Sequence, residues 1–206
     1  MKVMNIILIY AIKKIIKEPR KNGKRCFFFP KESFDEKEIE GSSKLLTKLW
    51  NSSRFAEGFL ENFDPSAERP ELLAVDKWIL TRFNEVIQAY HKSYEKYEFF
   101  PARNALEQFF WSDFCDNYIE LVKHRLYGEE DAEDAKAARW TLYTLQLGII
   151  KLFAPYLPHI TEEIYQSTFR EHEGVNSLHA TLLPVVPAEV WLRSIHINQR
   201  STSVKS

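Results

Sequence analysis

The stretch KLLTKLWNSSRF, residues 44–55, decides the fold because its apolar residues recur at helical spacing. With the residues that follow, it predicts an α-helix over about residues 35–62. The buried stripe of this helix is expected to be Leu45, Leu49, Ser52, Ala56 and Leu60. Residues 51–54 interrupt the stretch with Asn, Ser, Ser and Arg, which form helix less readily than leucine or require polar partners. They either let a neighbouring helix pack closely or present a polar edge to a partner.

The same periodicity continues along the chain and predicts further helices. In order, the second begins at residues 74–76 and reaches Tyr94 or Tyr97, the third runs from Pro101 through Val122, the fourth carries Ala138 through Phe153, and a fifth starts near Pro158. Residues 62–74 contain two prolines and read as a linker, and residues 177–187 are expected to be extended. Long helices joined by short connections predict an all-α, up-and-down antiparallel helical bundle.

Composition and charge limit the function. The chain has 206 residues, of which 45% are hydrophobic and 14% aromatic, so it can bury a core of its own. Residues 1–31 hold nine basic residues and one acid, a net charge of +8, which leaves −9 for the remainder. An acidic body is a poor non-specific binder of nucleic acid, because such binding comes from phosphate neutralisation. Any nucleic-acid role of the body must therefore rest on a local basic or aromatic patch.

The N-terminal segment is basic and apolar. Its apolar run, residues 3–12, has about half of the ~20 residues that a membrane span needs. Lys13 and Lys14 follow where a signal peptide would carry a small-residue cleavage site. We expect this segment to pack on the body as a short strand or helix; a secretory signal and a membrane-surface helix are the alternatives. Cys26 and Cys115 form no local motif, so a reducing cytoplasm is the simplest compartment.

No constellation of side chains predicts catalysis, a metal or a cofactor. Asp113 and Asp116 share a helix face, but with no histidine or third acid at ligand spacing they read as a face that is solvated or paired with Lys or Arg. The acids of residues 129–134 suit the start of a helix. HITEE, residues 159–163, lacks the second histidine of a zinc helix. Cys115 lies among aromatic residues and is expected to be inert core.

Four longer stretches carry a family resemblance. They are KLWNSSRF (48–55), DKWILTRFNEVI (76–87), FFWSDFCDNYIELVK (109–123) and LFAPYLPHITEEIYQ (152–166). In order and spacing they resemble the anticodon-binding helical domain of the valyl-tRNA synthetases. Isoleucyl- and leucyl-tRNA synthetases have related bundles, but the pattern W-x-x-F-C-D-x-Y at residues 111–118 favours the valyl branch.

The resemblance implies a bundle of the class I aminoacyl-tRNA synthetase anticodon-binding type over residues 34–187. A basic N-terminal extension, residues 1–33, and a C-terminal tail, residues 188–206, look foreign to it. The H-x-G-H-type and K-M-S-K-S-type motifs of the catalytic domain do not appear in the sequence, and the editing domain is missing. We therefore expect that this chain is not an enzyme and does not aminoacylate tRNA alone.

The resemblance also implies binding of the anticodon stem-loop of valine tRNA. The anticodons of valine tRNAs share A as the middle base and C as the third base. Two basic and aromatic patches are the candidate contacts. The first is Lys44, Lys48, Asn51 and Phe55 with Arg54 beside them, and the second is Lys123, His124, Arg125 and Tyr127. The bland alternative for Asn51 and Arg54 is capping or pairing inside the bundle, for example with Asp116 or Glu120.

The large aromatic residues are expected to belong mainly to the core: Trp50, Trp78, Phe109, Phe110 and Trp111.

Two other interpretations of the function of the chain stay open. The chain can instead be a protein-interaction module, which docks on a synthetase or forms a homodimer through the apolar surface that a catalytic domain would cover. It can also be a gene remnant without a function.

Overall fold

The computed structural model describes residues 36–61, 63–65, 69–129 and 132–184, with side chains from Gly41 onward. The chain divides into two compact units, residues 1–39 and residues 40–206, and the second unit holds the helical bundle. The predictions for the N-terminal extension, for Cys26 and for the C-terminal tail lie outside the described residues.

Helices account for the regular structure, which confirms the predicted all-α class. They are α1 (Glu36–Leu60), α2 (Ala74–Glu95), α3 (Phe99–Gln108), a π-helical segment (Phe109–Tyr118), α4 (Ile119–Leu126), α5 (Glu133–Phe153), α6 (Pro158–Thr168) and α7 (Arg170–Glu173). A 3₁₀ turn, Leu178–Ala180, stands where an extended segment was predicted. α3, the π segment and α4 follow one another without a break, and we call these residues the central rod. The described ranges contain no β-strand.

Contacts between the helices confirm the up-and-down arrangement. Arg125 near the end of the rod meets Asp76 at the start of α2, whereas Phe99 at the start of the rod meets Tyr94 near the end of α2. α2 and the rod are therefore antiparallel. α5 is antiparallel to the rod as well, because the ring of Phe110 packs on that of Phe153 at the end of α5.

The π segment explains how the rod keeps one buried face. Five buried residues of the rod recur at every fourth position: Leu106, Phe110, Phe114, Tyr118 and Val122. In an α-helix each step of four residues overshoots a full turn by about 40°, so this stripe would wind around the rod. Hydrogen bonds in the π segment reach five residues back, as from the Ile119 N–H to the Phe114 carbonyl. The wider turn holds the stripe against the core.

α1 packs through the predicted stripe, and every member of that stripe is buried. Ser52 and Ser53 satisfy their hydroxyl groups on the Leu49 carbonyl, at 3.0 and 2.8 Å. The Ser53 Oγ also accepts a hydrogen bond of 2.6 Å from the Gln146 amide of α5. Close packing is therefore one reason for the interruption of α1, and Asn51 and Arg54 form an exposed edge beside it.

A buried ion pair joins four elements of the bundle. The Arg125 guanidinium donates to both carboxylate oxygens of Asp76, at 3.1 and 2.8 Å. It also donates to the Asp134 carbonyl at the start of α5, at 3.1 and 2.6 Å. The Tyr118 hydroxyl donates a hydrogen bond of 2.9 Å to Asp76. The N–H of Leu73, the N-cap residue of α2, donates a hydrogen bond of 3.2 Å to the same carboxylate. Burial and then the Asp76 charge raise the pKa of Tyr118, so its hydroxyl stays a donor.

We expect the variant Arg125→Leu to lower the free energy of unfolding by about 3–5 kcal/mol, because it leaves the Asp76 carboxylate buried without its cation. Urea denaturation followed by circular dichroism measures this. Arg54→Leu is the matched control, since Arg54 pairs with Glu57 at the surface, and it should change stability by less than about 1 kcal/mol. Equal effects of the two variants would contradict the structural role of Arg125.

Candidate nucleic-acid interface

The two patches predicted from the sequence meet at Phe59. The Phe59 ring lies 5.0 Å from the Phe55 ring on α1 and 5.0 Å from the Tyr127 ring after α4, with the latter pair nearly perpendicular. Tyr127 remains 70% exposed. Sequence reasoning missed Phe59, although it stands four residues after Phe55 and so falls on the same helix face.

Lys48 marks the other end of this contact. Its ammonium group lies 3.3 Å from the Asp116 carboxylate and 5.4 Å from the centre of the Trp111 ring. α1 thus runs along the rod in the same direction, with Lys48 beside Asp116 and Phe59 beside Tyr127. Glu120 and Lys123 stand between those two rod positions at spacings of three and four residues. We call the following residues the α1–rod face: Lys48, Asn51, Phe55, Phe59, Asp116, Glu120, Lys123 and Tyr127.

Both lysines of the α1–rod face already have an acidic partner. Lys48 pairs with Asp116, and Lys123 pairs with Glu120 at 2.5 Å. Beside the face, Arg54 pairs with Glu57 on its own helix, so it pairs neither with Asp116 nor with Glu120. Lys44 is exposed and makes no ion pair with a described side chain. The face therefore offers aromatic rings and the exposed Asn51 amide, with few uncommitted positive charges.

Arg125 does not belong to this surface. It is only 5% exposed and is held by Asp76, so the structure places this predicted RNA contact inside the bundle. The sequence places it between the exposed His124 and Tyr127, but helix geometry turns these neighbours to different sides.

The aromatic residues expected in the core divide into three groups. Phe109 and Phe110 are buried, as predicted, and Trp50 and Trp111 are partly buried against the core. Trp78 is 39% exposed, so its assignment to the core is wrong. It follows the buried Asp76 by two residues, which places it on the opposite side of α2.

The acidic residues that could suggest metal chemistry are structural. Asp113 forms an ion pair with Arg82 at 3.3 Å, and Asp116 forms one with Lys48. These two ion pairs confirm the prediction that this acidic face is paired with basic residues. Within the described ranges, no group of three or more metal-ligating side chains is present. Glu162 of the HITEE stretch accepts hydrogen bonds from Ser177 and from the Leu178 N–H, both at 3.0 Å. Burial alone would raise the pKa of Glu162, but hydrogen bonds from Gln166, Ser177 and the Leu178 N–H lower it, so the carboxylate anchors the 3₁₀ turn.

Cys115 is buried in the π segment, as predicted. Burial raises the pKa of its thiol to about 12, with an opposing effect of Lys48 and a further rise from Asp116. Very little thiolate, the reactive form, is present near neutral pH.

We expect Cys115 in a Cys26→Ser background to react with iodoacetamide at about pH 8 at least roughly a hundredfold more slowly than a free cysteine, because thiolate is scarce. Mass spectrometry of timed samples measures the rate, which should still be rising at about pH 10. The same variant in denaturing urea is the control and should react fast. A plateau near pH 8.5 in the native protein would contradict the buried position.

A family model for the anticodon-binding domain of tRNA ligase matches residues 76–205. The chain belongs to this family. The matched range contains the rod residues of the α1–rod face and begins after α1.

Among similar curated proteins are three valine–tRNA ligases. Identity is 43% with that of Thermococcus kodakarensis over 68% of this chain, 40% with that of Pyrococcus furiosus over 71%, and 39% with that of Haloarcula marismortui over 73%. The aligned part makes up 16% of each of these relatives. The chain thus spans about one sixth of the length of the tRNA ligases that it resembles. Among the described residues, every helix is too short or too polar to span a lipid bilayer.

Proposed function

We propose that this chain binds the anticodon stem-loop of a tRNA, namely valine tRNA, through the α1–rod face. The observation that carries the proposal is the contact of Phe59 with both Phe55 and Tyr127. It makes one surface of two patches that are distant in the sequence. Membership of the anticodon-binding family supports tRNA as the class of ligand, and the names of the valine–tRNA ligases support valine tRNA. A binder of tRNA in translation would work in the cytoplasm.

Stacking on aromatic rings is the chemistry that this face fits best. Unstacked loop bases are recognised by stacking on aromatic rings and by hydrogen bonds to their edges. Tyr127 offers an exposed ring that Phe59 supports from its side, and the Asn51 amide can both donate to and accept from a base edge. Because Lys48 and Lys123 are paired with acids, few phosphates are neutralised. Binding by the body should therefore depend only weakly on salt.

We expect Tyr127→Ala to weaken binding of valine tRNA about tenfold or more, since one base–aromatic stack contributes roughly 1–3 kcal/mol. A gel shift at two salt concentrations measures this, with a valine tRNA altered in its middle anticodon base as the non-cognate RNA. Leu121→Ala is the matched control, because Leu121 is an exposed apolar residue of α4 outside the face.

Specific binding should distinguish the two RNAs at both salt concentrations. Equal binding that disappears at the higher salt concentration would contradict the proposal, since it would be binding by the basic N-terminal residues alone. Loss of binding with Leu121→Ala but not with Tyr127→Ala would place the RNA on another surface.

We further expect these 206 residues not to activate valine. The sequence contains no H-x-G-H-type or K-M-S-K-S-type motif, which in the synthetases act on ATP. An ATP–pyrophosphate exchange assay with and without valine measures activation, and a complete valine–tRNA ligase is the positive control. Valine-dependent exchange by the purified chain would show this expectation to be wrong.

Docking to another protein without RNA binding is the second candidate function. The net charge of −9 outside residues 1–31 favours it, because an acidic body repels phosphate. In the gel shift, this alternative predicts no binding of either RNA to the body.

A further inference from the structure

Exposed aromatic residues cluster where α2 turns into α3. Tyr97 is 81% exposed and Phe100 is 67% exposed, and Phe99 beside them is about half exposed. Large aromatic side chains are mostly withdrawn from water, and a contiguous exposed group of them marks an interaction surface. The proposed RNA contact does not use this group.

Ring contacts and a hydrogen bond hold the residues beneath this cluster in place. The rings of Tyr90 and Tyr94 stack at 4.4 Å, and Tyr94 packs against Phe99 at 5.0 Å. The Tyr156 hydroxyl donates a hydrogen bond of 2.8 Å to the Phe99 carbonyl. The exposed rings are therefore adjacent to packed rings and to a hydrogen-bonded backbone.

Tyr97 occupies a backbone conformation that favours glycine. Its φ is 61°, and it is the only described non-glycine residue with a positive φ. The Glu98 N–H donates to the Ser93 carbonyl at 2.9 Å, and the Tyr97 N–H donates to the Tyr94 carbonyl at 3.0 Å. This is the closing turn of a helix in which glycine is the usual residue, since a Cβ is strained there. The turn thus holds an exposed tyrosine in a strained backbone conformation.

The charges around the cluster balance. Lys92 and Lys96 are exposed, as are Glu95 and Glu98, and none of the four forms an ion pair with a described side chain. An aromatic centre with a charged rim is the usual composition of a protein interface. Equal numbers of both signs make the patch complementary to itself, which a two-fold symmetric dimer requires. The two carboxylates disfavour RNA as the occupant.

We propose that this corner is the interface of a homodimer. We call the following residues the aromatic corner: Lys92, Glu95, Lys96, Tyr97, Glu98, Phe99 and Phe100. In the dimer, the aromatic rings of the two copies pack together, and lysines of one copy face glutamates of the other. The rod that starts at Phe99 and ends at Leu126 is roughly 40 Å long, so Tyr127 lies at the far end of the bundle. RNA binding and dimerisation therefore use separate surfaces.

Sedimentation velocity of the 206-residue chain over a concentration series tests the proposal. The wild-type chain should form dimers that dissociate on dilution, and Tyr97→Gly should shift it towards the monomer. Because glycine relieves the strained backbone, this variant should melt at the same temperature or higher, which excludes unfolding as the cause. Tyr127→Ala, which removes a tyrosine that is 70% exposed at the other end of the rod, should leave the dimer intact.

A charge-exchange experiment tests the predicted contact across the two-fold axis. The acidic variant Lys92→Glu/Lys96→Glu and the basic variant Glu95→Lys/Glu98→Lys should each be monomeric, because like charges meet. An equimolar mixture of the two variants should form a heterodimer, since each then meets its complement. Each variant alone, at the same total protein concentration as the mixture, is the control.

Three results would overturn the proposal: a wild-type chain that is monomeric at every concentration, a dimer that survives Tyr97→Gly, or variants whose mixture stays monomeric. The gel shift separates this proposal from the proposed function. Tyr97→Gly should bind valine tRNA like the wild type if the tRNA lies on the α1–rod face, whether or not the dimer exists.

Discussion

The ion pair of Asp76 and Arg125 is the constraint on which the rest of the bundle depends. Two charges can stay buried only if each finds its counter-charge and its hydrogen bonds in the interior. Here Tyr118, the Leu73 N–H and the Asp134 carbonyl complete that set. The pair therefore fixes the start of α2, the end of the rod and the start of α5 in one geometry.

The candidate RNA surface begins next to this ion pair, at the end of the rod. With Arg125 turned inward, the rod ends at Leu126 and Tyr127 leaves the helix towards α1, where its ring meets Phe59. At the other end of the face, the π segment carries Trp111 and Asp116 to Lys48. The ion pair thus lies two residues before the exposed tyrosine in the chain and makes no contact with the face itself.

Charge explains why the surface is aromatic in character. The body is acidic, and acids of the rod neutralise Lys48 and Lys123 of the two predicted patches. What stays uncommitted on the face are rings and an amide, which bind bases better than phosphates. The opposite end of the bundle repeats the use of aromatic rings with a balanced rim, which suits a protein surface instead.

Periodicity in the sequence determined the helices, the stripe of α1 and the all-α class, because burial of an apolar face recurs with the helical repeat. The quoted motifs determined the family. Tertiary structure alone decided that Arg125 is buried and that Phe59 connects the two patches, since both depend on which helix lies opposite. It also decided the contact of α2 with Gly148 of α5, where a Cβ would lie 2.6 Å from the Phe83 ring. Such contacts join residues far apart in the chain, and no local pattern encodes them.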